Sequence, residues 1–233
     1  MSYAEHAPPP ALLPWVQCTW EQRSALDLTV RVVPDGCMDV VWIEGTGTMI
    51  VGANTTAFLV PLAAGTRAVG VRLRTGVAPS LLGVDGPTFR DARAPLHEVW
   101  GDRGRRLAAT LDAGTDPEAA LVNALAARAR GCRAPDPLVL AAVARLGAPA
   151  SIREVARDLH VSERQLHRRV ADAVGYGPKR LARVLRLGRA LDAARAGEAW
   201  GRVAADAGYA DQAHLTSDCH ALAGLSPSRM LAA

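Results

Sequence analysis

Three side chains in the stretch SIREVARDLHVSERQLHRRVADAV, residues 151–174, have the types and spacing that base recognition requires. Arg164, His167 and Arg168 stand at i, i+3 and i+4, so a helix would present them together on one face. Arginine can donate two parallel hydrogen bonds to O6 and N7 of guanine, and histidine can donate to a base edge or to a phosphate. The spacing therefore indicates a surface that could read the major groove of DNA.

Two consecutive helices must position these side chains, and the sequence predicts both. Ser151 and Glu154 have the spacing of a capping box, which starts the first helix. Ser162 is a cap candidate for the second helix, over residues 162–174. Apolar residues recur at helical spacing on both helices, namely Ile152, Val155, Ala156 and Leu159, then Leu166, Val170 and Ala173. This pattern predicts a helix-turn-helix whose recognition helix is 162–174.

A second copy of the pattern follows. A helix from Trp200 leads to a turn at 208–210, and Asp211 caps a further helix to about residue 223. Its predicted inward residues are Leu215, Cys219 and Leu222, and its outward residues are Gln212, Ala213, Thr216, Ser217 and His220. A long helix from Pro178 connects the two units, with a predicted buried stripe (Leu181, Val184, Leu185, Gly188, Leu191) and a predicted exposed basic face (Lys179, Arg180, Arg183, Arg186).

The charge distribution agrees with a DNA-binding segment. The net charge is +4, but residues 1–150 are neutral, residues 151–196 carry +6 and the remainder carries −2. Basic charge on the predicted reading segment is what phosphate binding requires. The composition, 49% hydrophobic and 21% charged, is that of a globular protein. No stretch suggests a membrane span or a leader, so we expect a cytoplasmic protein.

The two units closely resemble the DNA-binding domain of the AraC/XylS family of bacterial transcription regulators. Two helix-turn-helix patterns are joined by one long helix, with GYGP closing the first and AGYADQAHL…AGLSPS closing the second, over roughly residues 137–231. The opening PPPALLPWVQCTW and VVPDGCMDVVW are similar to an N-terminal domain of some family members. That similarity implies a cupin-like β-barrel with a sensing or dimerising role.

The resemblance also implies which residues contact DNA. In the first unit the base-reading positions fall on Arg164, His167 and Arg168, with Gln165 beside them. In the second unit they fall on Gln212, Ala213 and Ser217, with Thr216 beside them. The second unit departs from the family pattern, which commonly has an arginine at Ser217, an aromatic residue at Cys219 and a basic residue at His220. Asp218 adds a negative charge there, so the second unit either reads fewer bases or chiefly holds the register.

The first half of the chain reads as β structure followed by helices. Short strands are predicted at 28–33, 38–44, 49–52, 57–60 and 68–74, after a proline-rich extended lead-in. Helices are predicted at 79–84, 95–111 and 117–130, each with a proline near its first turn. The fold class is therefore α+β: an antiparallel β-rich domain with trailing helices over residues 1–133, then an all-α domain over 134–233. The boundary is predicted at GCRAPD, residues 131–136.

Two interpretations of the first domain stay open. Trp15, Trp20 and Trp42, with Arg72 or Arg74 as a charged anchor, could line a pocket for a small organic ligand. The alternative is an aromatic core with exposed arginines. Metal binding is not expected, because the histidines of this half are far apart and the four cysteines form no C-x-x-C pair; no cofactor is expected either.

Three functions are compatible with the sequence. The first is a sequence-specific transcription regulator whose partners are operator DNA, a small-molecule effector, a second copy of the chain and, for an activator, RNA polymerase. The second is a DNA-associated enzyme that uses Cys37 as nucleophile or acceptor, although the sequence places no base beside that thiol. The third is a nonspecific architectural DNA binder, which the compact set of Arg164, His167 and Arg168 disfavours. We expect a regulator and not an enzyme.

Overall fold

The computed structural model describes residues 2–232 and confirms the α+β class. The strands are β1 (Ser2–His6), β2 (Val16–Arg23), β3 (Leu28–Val32), β4 (Asp39–Ile43), β5 (Gly47–Val51), β6 (Phe58–Leu62), β7 (Arg67–Leu73) and β8 (Arg93–Pro95). The helices are α1 (Ala78–Leu82), α2 (Gly86–Phe89), α3 (Leu96–Trp100), α4 (Asp102–Asp112), α5 (Pro117–Ala129), α6 (Pro137–Leu146), α7 (Ile152–Asp158), α8 (Glu163–Val174), α9 (Pro178–Arg195), α10 (Trp200–Ala207), α11 (Gln212–Ala223) and α12 (Pro227–Ala232).

The strands form one six-stranded antiparallel sheet and one two-stranded ribbon. The sheet order is β1-β2-β7-β4-β5-β8, and β3 pairs with β6 in the ribbon. The sheet has two edges, β1 and β8, so its hydrogen bonds do not close it into a barrel. Val69 and Val71 of β7 face the core, while Gly70 and Arg72 between and beyond them face the other side of the sheet.

One buried cluster continues across the predicted domain boundary. It contains Val71 of the sheet, Leu125 of α5, Leu146 of α6 and Leu166 of α8, all 2% exposed or less. A second cluster holds α10 and α11 against the far half of α9. The first helix-turn-helix therefore shares its core with the β-rich half, and the second has a core of its own.

The ribbon makes polar contacts with the end of the second unit. The backbone N–H of Ala57 donates to the carbonyl of Leu222 at 2.7 Å. The Arg31 guanidinium donates to the carbonyl of Ala223 at 3.0 Å. The β-rich half therefore contacts both helix-turn-helix units, one through the shared core and one through the ribbon.

The predicted strands correspond to β3–β7, with ends that differ by no more than two residues, and α6 and α10 begin where predicted. The prediction of an extended lead-in is confirmed only in part, because this segment contains β1 and β2 but also a short 3-10 helix at Pro10–Leu12. The elements α2 and β8 were not predicted. On α9, Leu187 and Ala190 belong to the buried stripe, whereas Leu185 and Gly188 are only half-buried.

Candidate nucleic-acid interface

The first helix-turn-helix is capped at both helix starts as the sequence requires. Ser151 accepts from the Glu154 N–H at 3.2 Å, and the Glu154 carboxylate accepts from the Ser151 N–H at 2.8 Å. Ser162 and Gln165 form a second such box at 3.2 and 2.9 Å. The side-chain amide oxygen of Gln165 therefore takes part in the cap of α8. The sequence predicted only a DNA contact for this residue.

The turn between α7 and α8 depends on an unusual backbone conformation. His160 has φ 54°, in the left-handed region that few residues other than glycine and asparagine adopt. The interruption of the apolar pattern at His160 and Val161 marks this turn in the sequence, but it does not predict the left-handed conformation. It reverses the chain so that Leu166 and Val170, both 0% exposed, pack inward from α8.

The opposite face of α8 presents the three predicted reading residues to solvent. Arg164, His167 and Arg168 are all exposed. Within residues 2–232, Arg164 and Arg168 form no ion pair, so their guanidinium groups are free to bind a partner. The His167 ring lies over Gly177, where an added Cβ would be 2.5 Å from Nε2. The ring is thereby held toward the α9 side of the recognition face.

The second unit is built in the same way but presents a neutral face. Asp211 caps α11 by accepting from the His214 N–H at 2.7 Å. Gln212, Ala213 and Ser217 are exposed as predicted, and the Thr216 hydroxyl donates to the Gln212 carbonyl at 2.8 Å. Thr216 is therefore partly occupied by its own helix.

The negative charge of Asp218 is not free on the recognition face. The sequence-based expectation of a negative charge there is therefore wrong. Its side chain is 6% exposed, and one oxygen accepts from Arg183 at 2.7 Å while the other accepts from Arg186 at 3.1 Å. Arg183 and Arg186 were predicted to lie on an exposed basic face of the connecting helix. They instead hold α11 against α9, because a buried carboxylate needs such partners.

The same side of α9 also holds the turn of the second unit. The Arg186 guanidinium lies 4.4 Å from the centre of the Tyr209 ring, and Arg189 donates to the carbonyl of Ala207 at 3.1 Å. Burial is the main reason why the pKa of Tyr209 rises to about 12. Three arginines of the basic segment thus serve internal packing, which leaves fewer charges for phosphates than the sequence count suggests.

The five residues predicted to bind a ligand in the β-rich half do not form one group, although Trp20 and Arg72 both contact Asp39. Trp15 is buried in the core, and Trp42 packs against it. Trp42 pairs with Val69 and Trp20 pairs with Gly70, so the two indoles lie on opposite faces of the sheet. Arg74 donates to the Leu13 carbonyl at 2.8 Å. These residues do not converge on one space.

A charged cluster lies on the Trp20 face. Arg72 contacts Glu5, Asp35 and Asp39 at 3.2–3.5 Å, and the Trp20 indole donates to Asp39 at 2.9 Å. Burial raises the pKa of Asp39 to about 6, although Arg72 opposes the shift. The Arg72 guanidinium is thus engaged by three carboxylates, which makes it a poor anchor for an anionic ligand.

Cys37 is buried next to this cluster. Its thiol is 3.5 Å from the Gln17 amide oxygen and 3.6 Å from the Thr75 hydroxyl. Burial, and then the neighbouring Asp35 carboxylate, raise the pKa of the thiol well above its usual range. A thiol in these surroundings stays protonated, so it is a poor nucleophile.

Two families match the sequence in the regions that the structure distinguishes. Residues 155–233 match the family described as "Helix-turn-helix domain", which covers the two units and their connecting helix. This match shows a helix-turn-helix domain in the C-terminal third of the chain. Residues 4–95 match "Domain of unknown function (DUF6597)". The helix-turn-helix part and the β-rich part are therefore matched by two separate families.

Three solved structures illustrate what this chain is similar to. The C-terminal domain of AraT, a response regulator from Geobacillus stearothermophilus, is 20% identical over 42% of this chain and 85% of that chain, with a TM-score of 0.39. An AraC-type regulator from Chromobacterium violaceum is 25% identical over 41% and 90%, with a TM-score of 0.39. ToxT from Vibrio cholerae is 10% identical over 99% and 98%, with a TM-score of 0.47.

No curated protein matches the sequence. Among residues 2–232, none of the helices combines the length and the apolar character that crossing a bilayer demands.

Proposed function

We propose that this regulator binds operator DNA in a sequence-specific way, with α8 as the dominant reading helix and α11 as a secondary one. The observation that carries the proposal is the pair Arg164 and Arg168, exposed one helical turn apart and free of ion pairs within the described residues. Each can form a bidentate contact with guanine. On α11 only Gln212 offers comparable geometry, toward adenine, while Ala213, Thr216 and Ser217 carry no charge.

The buried Asp218 supports an unequal division of labour. It fixes α11 to α9 through Arg183 and Arg186. The second recognition helix is thus held in place, but its exposed face carries no arginine or lysine. In this proposal α11 sets the register of the protein on the duplex, and α8 provides most of the base discrimination. His167 contacts a phosphate or a base edge on the side toward α9.

The experiment that tests this function is selection of bound genomic fragments, followed by titration of the selected and random duplexes at one salt concentration. A specific regulator should prefer its selected site by at least about 1,000-fold. Equal affinity for both duplexes would support the architectural alternative instead.

We further propose that the β-rich half responds to a small-molecule effector by binding it without chemical turnover. The burial and raised pKa of Cys37 support this choice over the enzyme alternative. An effector should change operator affinity, and operator should change effector affinity by the same factor. Calorimetric titration of candidate metabolites with and without operator measures both, whereas conversion of a compound that is lost in Cys37→Ser would favour the enzyme.

The proposal also includes the partners and location expected from the sequence. A second copy of the chain would double the number of recognition helices on a symmetric operator. Contact with RNA polymerase follows if the regulator activates transcription, and the site of action is the cytoplasm.

A further inference from the structure

A groove of about 700 Å³ runs beside the recognition helix and is lined by both halves of the chain. Glu163, His167 and Ala171 form its edge on α8, and Pro87 and Arg90, at the end of α2, form the opposite edge. The turn at 175–178 and the first residues of α9 complete the groove. The β-rich half therefore reaches the immediate neighbourhood of the predicted reading face.

The groove carries more positive charge than its own residues neutralise. Arg90, Lys179 and Arg180 line it, and Glu163 is the one carboxylate among its lining residues. Within residues 2–232, Arg90 and Lys179 form no ion pair, and Arg180 donates only to the carbonyl of Thr55 at 3.1 Å. The groove thus offers a polyanion three cations that form no ion pair within the described residues, against one lining carboxylate.

The position of the groove relative to the reading residues identifies the polyanion. An α-helix is about 10–12 Å across and the major groove is about 12 Å wide, so a helix that reads bases has a sugar-phosphate strand on either side. The strip of Glu163, His167 and Ala171 lies directly beside the strip of Arg164 and Arg168. A duplex read by Arg164 and Arg168 would therefore place one strand along the groove.

Arg90 is held at this place by a contact between two glycines. A Cβ on Gly86 would lie 2.5 Å from the Gly175 backbone nitrogen, and a Cβ on Gly175 would lie 2.6 Å from the Gly86 carbonyl oxygen. The backbones of α2 and of the C-terminal end of α8 thus approach more closely than side chains would permit. Because α2 is fixed to α8, the start of the Arg90 side chain is fixed relative to the reading face.

We propose that this groove binds one sugar-phosphate strand of the operator and that Arg90, a residue of the β-rich half, contributes a phosphate contact together with Lys179 and Arg180. The proposal rests on the proposed function of α8 as a DNA-reading helix. It means that the DNA interface extends beyond the helix-turn-helix domain onto the domain matched as DUF6597.

The test is the salt dependence of DNA binding by the full chain. The logarithm of the binding constant falls linearly with the logarithm of salt concentration, with a slope of about −0.9 for each phosphate contact. We expect Arg90→Ala to reduce the slope by about 1 between about 50 and 200 mM salt and to weaken binding to selected and random duplexes equally. Arg90→Lys, which keeps the charge, should retain the slope.

Arg23→Ala is the control for the loss of one positive charge, because it removes an exposed arginine, paired with Glu21 at 3.0 Å, from β2, near the opposite edge of the sheet from β5 and β8. An unchanged slope in Arg90→Ala, or an equal change in Arg23→Ala, would overturn the proposal. Failure of the proposed function gives a different result, in which the unmodified chain does not distinguish selected from random duplexes. The slope on the random duplex still reports the phosphate contact in that case.

Discussion

Single side chains decide which charges of the basic segment are available to DNA. Arg164 and Arg168 are exposed without carboxylate partners among the described residues, whereas Arg183 and Arg186 share the buried Asp218. The sequence predicts the exposure of Arg164 and Arg168 correctly, because helical spacing places them opposite the buried Leu166 and Val170. It does not predict the second pair, because the partner of Arg183 and Arg186 lies more than 30 residues away on another helix.

Replacement of Asp218 by asparagine tests this internal role. The variant leaves Arg183 and Arg186 without their buried counter-charge, although both remain partly exposed to water. We expect a loss of about 2 kcal/mol in the free energy of unfolding, measured by urea denaturation. Ser217→Ala, at the exposed neighbouring position, should change it by less than about 0.5 kcal/mol. Similar small effects for both would show that the contacts of Asp218 add little.

The cluster around Asp39 predicts a pH dependence of stability. Its folded pKa of about 6 is above the usual value, so the folded chain binds more protons than the unfolded chain between about pH 4 and 6. The contribution of Asp39 to stability should therefore decrease as the pH rises through that range and stay constant above it. The difference in unfolding free energy between the unmodified chain and Asp39→Asn isolates this contribution. A difference that does not change from pH 4 to 7 would contradict the raised pKa.

At the scale of elements, local signals predict the helices better than they predict their packing. Ser151, Ser162 and Asp211 mark three helix starts because a cap acts within one turn of chain. The helix α2 has the same kind of signal, because Asp85 accepts from the Thr88 N–H at 2.8 Å, but the helix is only one turn long and its position is set by contact with α8. The strand β8 has no such signal and exists because β5 provides a partner.

A pair of glycine substitutions measures the contact between α2 and α8. Gly86→Ala would place a Cβ 2.5–3.0 Å from three backbone atoms, so the two helices must separate, at an expected loss of about 1–3 kcal/mol. Gly188→Ala in α9 meets nothing within 4 Å and should stabilise the chain by up to about 1 kcal/mol through helix propensity. Thermal or urea unfolding of both variants checks the opposite signs. A neutral Gly86→Ala would show that α2 moves away from α8 at no cost.

In the whole molecule, one continuous buried core crosses the domain boundary that the sequence predicts at residues 131–136. The GCRAPD segment has the composition of a linker, and the division at residue 133 remains a prediction. The sequence could not predict that Leu125 and Leu166 belong to one buried cluster, because periodicity identifies buried faces without identifying what they pack against.

Limited proteolysis examines both features together. We expect cleavage at 131–136, because several residues of this segment are exposed. The two fragments should nevertheless elute together in size-exclusion chromatography, since the shared apolar core joins them. Fragments that separate without denaturant would show that the core does not hold the two halves together. Cleavage spread through 76–130 would show that the boundary is misplaced.

In the proposed function, α8 reads bases and α11 contributes little discrimination. The most direct measurement is the affinity of Arg168→Ala and Ser217→Ala for the selected duplex and for its single-base variants at one salt concentration. We expect Arg168→Ala to lose about 1–3 kcal/mol and to relax the preference at one base position, and Ser217→Ala to lose less than about 0.5 kcal/mol. Equal losses for the two substitutions, with the base preference unchanged in Arg168→Ala, would show that α8 is not the dominant reading helix.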